Sequence, residues 1–223
     1  MKTKIRKMAK IGQKSLVLAL IFVFLVGIQV FASNSSTFNQ TINAGSLSVD
    51  VVDAAGTTVA SPAISLGAKT FSFSTQDATG QFGTSAERVR ASNPTTTAIW
   101  TANLAASATT ATWTTGTAYY DFNDGSGYTD GADTDSYGGQ MTVNPSTGSI
   151  TGVSGCATTN VSLGTSDSFV EGTTNSIDIM SAAAGAATTC RWDFIGAADN
   201  ITQKLPASQA AGSYSITMVL SIS

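Results

Sequence analysis

The sequence predicts an all-β fold, a single antiparallel β-sandwich of jelly-roll or immunoglobulin-like type, behind an N-terminal signal peptide. Three observations predict it. Apolar residues alternate with polar ones in short runs, the period of a strand with one buried face. Helical signals are nearly absent: residues 181–187 are Ala-rich but carry Gly185 and no amphipathic stripe. Ser and Thr supply 59 of the 191 residues after position 32, and branched Thr suits a pleated surface.

Residues 1–32 read as a signal peptide. Lys2, Lys4, Arg6, Lys7, Lys10 and Lys14 precede an apolar run over residues 16–28, and Val30-Phe31-Ala32 supplies a small-residue cleavage site. The run is shorter than the roughly 20 residues of a membrane span. An uncleaved anchor over residues 16–32 is the competing reading. A pilin-type leader would need a glutamate that Gly12-Gln13-Lys14-Ser15 does not provide. Each alternative places the remainder outside the cytoplasm, and with the leader cleaved no membrane span is expected in the mature chain. Residues 33–44 are polar apart from Phe38 and Ile42 and read as a spacer. The alternative is a strand that adds to a neighbour's sheet edge, giving self-assembly.

The sandwich is assigned to residues 45–223. Leu47, Val49 and Val51 alternate with Ser48 and Asp50; Phe71 and Phe73 flank Ser72; Ile177 and Ile179 flank Asp178. Cys190, Trp192 and Phe194 alternate with Arg191 and Asp193. In the last strand Tyr214, Ile216, Met218, Leu220 and Ile222 form the apolar face, with Val219 interrupting the polar one. Trp100 and Trp192 sit in alternating runs and are expected in the core. Residues 206–212 suit a single turn. About 180 residues without a Pro/Ser linker fit one domain.

Beyond residue 32 five basic residues (Lys69, Arg88, Arg90, Arg191, Lys204) face all 14 acids, and the chain has no histidine. That removes histidine triads, histidine-ligated metals and imidazole acid–base chemistry. So acidic a surface repels phosphate backbones, so no nucleic acid is expected. Cys156 and Cys190 are the only cysteines, and in an exported chain they are expected to pair. Closing that loop is worth roughly 3–4 kcal/mol in the chain-entropy account.

Residues 121–139 form the most informative stretch. Asp121, Asp124, Asp130, Asp133 and Asp135 fall within 15 residues, interleaved with Asn123 and several glycines. No basic residue between Trp100 and Arg191 neutralises them. Crowded like charges call for a cation, and calcium takes hard oxygens from Asp, Asn and backbone carbonyls. Asp121, Asn123, Asp124, Asp130, Asp133 and Asp135 are therefore the expected calcium ligands. A solvated hairpin loop, in which Asp-Gly pairs only make turns, is the other reading. The stretch from Asp133 to Gly138 opens like an EF-hand loop but has Tyr137 at the fifth position and Asn144 at the twelfth. Tyr128 and Tyr137 are expected exposed and available for ligand contact. Glu87 and Glu171, the only glutamates, read as surface charges, so no catalytic residue is assigned and no enzyme is expected.

Two stretches together resemble the WxL-type cell-surface domains of bacteria. One runs from Arg90-Ala91-Ser92-Asn93-Pro94 to Ile99-Trp100-Thr101-Ala102-Asn103-Leu104. The other runs from Ile179 through Trp192 to Leu205-Pro206-Ala207-Ser208, then Gly212-Ser213-Tyr214 and Leu220. The family places a Trp-x-Leu strand mid-domain and closes with a small-residue turn, a Gly-x-Tyr step and a last strand. Here Trp100 is followed by Thr101 and Ala102, and the last strand has no Trp. The resemblance implies a sandwich over most of residues 45–223 and non-covalent attachment to the cell wall. Asn43-Ala44-Gly45-Ser46-Leu47 is also similar to the opening strand of camelysin-type extracellular fibre proteins. The expected role is that of a secreted surface protein, structural or adhesive, partnered by cell-wall polysaccharide or other surface proteins. A carbohydrate- or peptidoglycan-binding module is the alternative.

Overall fold

The computed structural model describes residue 40, residue 42, and residues 45–131 and 133–223. The expected signal peptide and most of the spacer lie outside the described residues. Asn43–Ser223 forms one compact unit. It contains fourteen strands: β1 (Ser48–Val52), β2 (Gln76–Gly80), β3 (Arg88–Asn93), β4 (Trp100–Ala106), β5 (Trp113–Thr114), β6 (Tyr119–Tyr120), β7 (Gln140–Val143), β8 (Ser149–Gly152), β9 (Val161–Leu163), β10 (Asp167–Ser168), β11 (Ser176–Ala182), β12 (Cys190–Ile195), β13 (Ile201–Leu205) and β14 (Met218–Ile222). Two single-turn 3₁₀ segments are its only helical elements among the described residues.

The strands build three four-stranded sheets, in the orders β1-β3-β12-β8, β10-β7-β13-β2 and β14-β4-β11-β9, plus the ribbon β5-β6. Every pairing between them is antiparallel. The all-β sandwich expected from the period-two pattern is what forms. The first and third sheets face each other through Trp192 and Trp100, whose rings lie 5.3 Å apart and are both fully buried. Val89, Ala91 and Phe194 from one side, and Ala102, Leu104, Ile177 and Ile179 from the other, complete this core. Met141, Val143 and Ile201 bring the second sheet into it. In β11 the register shifts between Asp178 and Met180, so the adjacent residues Ile179 and Met180 are both buried.

Cys156 and Cys190 are joined in a disulfide with Cα atoms 5.8 Å apart. It ties the turn after β8 to the start of β12, as the cysteine count predicts. The last strand is shorter than expected, Met218–Ile222 rather than residues 214–223, but the alternation holds. Tyr214, Ile216, Met218, Leu220 and Ile222 are half-buried while Ser215, Thr217 and Ser221 are exposed. Val219, outward on this edge strand, is 46% exposed.

One expected strand is absent. Phe71 and Phe73 alternate with serines, yet residues 66–73 form no ladder, and Phe73 is 83% exposed. The two rings pack edge-on against each other at 5.1 Å. Alternation gives a strand only where a neighbour supplies hydrogen bonds and an opposing face. Gly67 N–H donates to Thr79 O of β2 at 2.7 Å, but the pairing stops there and leaves Phe71 and Phe73 without a ladder.

Candidate metal centre

The acidic loop rises from a short antiparallel clasp. Asp121 N–H donates to Gly138 O and Asp124 N–H to Gly139 O, both at 3.0 Å, and Met141 N–H donates to Phe122 O at 2.6 Å. Buried Phe122, edge-on to Phe169 at 5.2 Å, pins the clasp to the core. Gly139 has φ 138°, and a Cβ there would strike the Asp121 carbonyl, so only glycine lets the strands approach this closely.

From this clasp the loop returns Asp133 and Asp135 to Asp121. One carboxylate oxygen from each of the three lies within 4.8 Å of the others. Asp121 is 2% exposed, Asp133 half-buried and Asp135 exposed, so the cluster runs from core to solvent. Asp121 Oδ1 accepts the Phe122 N–H at 2.7 Å, while its Oδ2 is buried with no hydrogen-bond partner. Burial, reinforced by Asp135 and Asp133, pushes the Asp121 carboxyl up to about 7. Burial also raises the Asp135 carboxyl, with Asp133, Glu171 and Asp130 adding to it.

The other expected ligands are used differently. Asp124, also buried, takes the Ser126 N–H on Oδ1 at 2.6 Å and the Gly131 N–H on Oδ2 at 2.9 Å, so its carboxylate shapes the loop. Asn123 donates from Nδ2 to Thr109 O at 2.9 Å and forms a bridge pair with Gln140. Asp130 is near enough to raise Asp135 but stands outside the three-carboxylate cluster.

Glu171, read from sequence as a bare surface charge, belongs to this region. Its carboxylate accepts the Thr134 N–H at 3.2 Å and the Thr134 hydroxyl at 2.7 Å, fixing the residue between Asp133 and Asp135. Its own N–H donates to Asn123 O. Glu87 accepts a long contact from Ala63 N–H at 3.4 Å.

Of the two tyrosines, Tyr137 is 38% exposed and its ring lies 5.7 Å from that of Tyr119. Tyr128 is half-buried: its hydroxyl donates to Asp77 Oδ1 at 2.7 Å and Lys204 Nζ lies over its ring at 5.5 Å. It is therefore engaged within the chain.

Three carboxylates graded from buried to open, one with an unpartnered oxygen, suit a hard divalent cation. Such an ion takes six to eight oxygens, the balance coming from backbone carbonyls and water. Among the described residues no helix is long and apolar enough to cross a membrane. No protein-family model matches this chain, nor does any curated protein or solved structure.

Proposed function

We propose that this protein is a secreted, non-enzymatic β-sandwich of the bacterial cell surface, structural or adhesive in role, whose acidic loop is rigidified by calcium held by Asp121, Asp133 and Asp135. The buried, unpartnered Asp121 Oδ2 carries the cation part of this reading. A carboxylate oxygen out of water needs a proton, a donor or a cation, and here the neighbours are two further carboxylates. The disulfide agrees with an oxidising compartment. The basic leader and the resemblance to WxL-type domains support display at the cell surface, with cell-wall polysaccharide or other surface proteins as partners.

The test is thermal unfolding of the chain from residue 33 onward at pH 8, with chelator and with about 5 mM calcium, roughly ten times a dissociation constant typical of extracellular sites. The expected rise in melting temperature is about 3–6 °C, from mass action on a domain of this size. Equal midpoints in the two conditions would refute the cation.

A further inference from the structure

Beside the β5-β6 ribbon a cleft of about 430 Å³ opens between two irregular segments, residues 64–75 and 206–214. The walls are tied together by Ser208 N–H, which donates to Ser72 O at 2.8 Å. Four aromatic side chains line it: exposed Phe71, half-buried Trp113 and Tyr214, and Tyr120, which is only 5% exposed. Trp113 stacks on Tyr120, with centroids 5.8 Å apart and planes 15° from parallel, and Tyr120 meets Tyr214 at 4.9 Å.

Trp113 and Tyr214 are held in place. Trp113 Nε1–H donates to Gln203 Oε1 at 2.8 Å. The Tyr214 hydroxyl donates to Ala210 O at 2.8 Å and accepts Gln209 Nε2 at 2.8 Å. Gln209 also donates to Tyr119 O at 3.1 Å. The side chains are thus fastened before any ligand arrives, which lowers the entropic cost of binding.

The charge of the lining departs from that of the chain. Fourteen acids and five bases lie beyond residue 32, yet no Asp or Glu lines this cleft. Lys69 is its one charged residue. Three of the other four bases are occupied elsewhere: Arg90 and Arg88 at Asp193, and Lys204 at Gln140. Lys69 is exposed at the rim.

We propose that this cleft binds a short oligosaccharide bearing carboxylates, its sugar faces against the Trp113, Tyr214 and Phe71 rings, with buried Tyr120 backing the first two, and an acid group at Lys69. A pyranose has an apolar C–H face and a rim of hydroxyls. The first matches aromatic rings, and the second matches carboxamides such as Gln76 and the serine hydroxyls of residues 65–74. The volume falls in the usual range for small-ligand sites. This gives the adhesive reading a ligand class, and it stands on a cleft separate from the acidic loop.

The test is titration of the same chain, at low salt, with tri-galacturonate and with neutral galactotriose, following acrylamide quenching of tryptophan fluorescence. Trp100 and Trp192 are 1% and 0% exposed, so half-buried Trp113 is the reporter. The acidic trisaccharide is expected to bind saturably, to shield Trp113, and to bind about threefold to fivefold tighter than the neutral one, the worth of one exposed ion pair. Lys69→Met removes that preference while leaving the melting temperature and the calcium response unchanged. Tyr214→Ala abolishes binding of both sugars. Absence of saturable binding, equal affinity for the two sugars, or a preference that survives Lys69→Met overturns the proposal. The unchanged calcium response separates its failure from that of the cation site.

Discussion

Asp193 and Asp121 are both buried carboxylates, 3% and 2% exposed, and the fold treats them in opposite ways. Asp193 on β12 stands directly opposite Arg90 on β3. Arg90 Nε donates to Oδ1 at 2.6 Å and its second terminal nitrogen to Oδ2 at 2.8 Å, a bidentate pair. Arg88 adds a longer contact of 3.5 Å. Asp121 has a hydrogen bond from the Phe122 N–H, a weaker pull from the Asn123 N–H, one oxygen with no hydrogen bond and two acids for neighbours. One charge is neutralised by the chain itself, through strand register. The other is left for something from outside, a proton or a cation. A buried charge satisfied internally is a structural element. One left unsatisfied at the edge of an open cluster makes the local fold responsive to the medium.

The largest effect expected from this contrast lies at the satisfied site. Arg90→Met keeps much of the side-chain bulk but strands Asp193 in the core without its bidentate partner. Breaking a buried pair by removing one member costs on the order of 3–5 kcal/mol. Chemical denaturation should show that loss, and Asp193→Asn in the same background should recover part of it. A loss under ~1 kcal/mol would mean that water reaches Asp193, and the contrast between the two sites would fall.

At Asp121 the same logic predicts a gain. The carboxyl is held near 7 in the fold against an ordinary value of 3.8, so the folded chain keeps a proton that the unfolded chain releases. Without calcium, stability therefore declines as pH rises from about 4 to about 7 and levels off above. Asp121→Asn removes its part of this slope, leaving the part due to Asp135. At pH 8 in chelator the variant should melt a few degrees above the parent, about 1–2 kcal/mol, because no charge is left buried. It should also lose the rise on adding calcium. A variant that melts lower in chelator and still responds to calcium would show that Asp121 is an ordinary structural residue.

How much of this is readable in the sequence follows from the range of the interactions involved. Period-two alternation is local, and it places β11, β12 and β14 with their inward faces correct; in β1 the buried residue is Val52, out of phase with Val49 and Val51. It fails at Phe71 and Phe73 because an alternating segment becomes a strand only if a partner lies beside it. The alternation around Trp192 sets Asp193 on the opposite face, but its burial comes from Arg90, about 100 residues earlier in the chain. The acidic loop is legible as a cluster of charge. Which aspartates converge is not, because Asp124 spends both oxygens on N–H groups only two and seven residues ahead. Those turns decide which carboxylates point together. Glu171 joins the loop through a contact 37 residues back in sequence, to Thr134, and no spacing rule reports it.

The smallest expected effect tests whether the cluster is a site of three residues or a diffuse cloud of five. Asp130 raises the Asp135 carboxyl through charge alone and is exposed. Standing outside the three-carboxylate cluster, it is expected to contribute to cation attraction without lending an oxygen. A single charge several ångströms away in high dielectric is worth roughly 0.5 kcal/mol, and salt screens it. Asp130→Asn is therefore expected to weaken calcium binding about twofold at low ionic strength and negligibly at physiological salt. Asp135→Asn, which removes the charge of a proposed ligand oxygen, should weaken it by about tenfold or more in both conditions. Titration calorimetry of the two variants at two salt concentrations separates the cases. If Asp130→Asn matched Asp135→Asn at high salt, Asp130 would be a direct ligand and the cation would sit further out along the loop than Asp121.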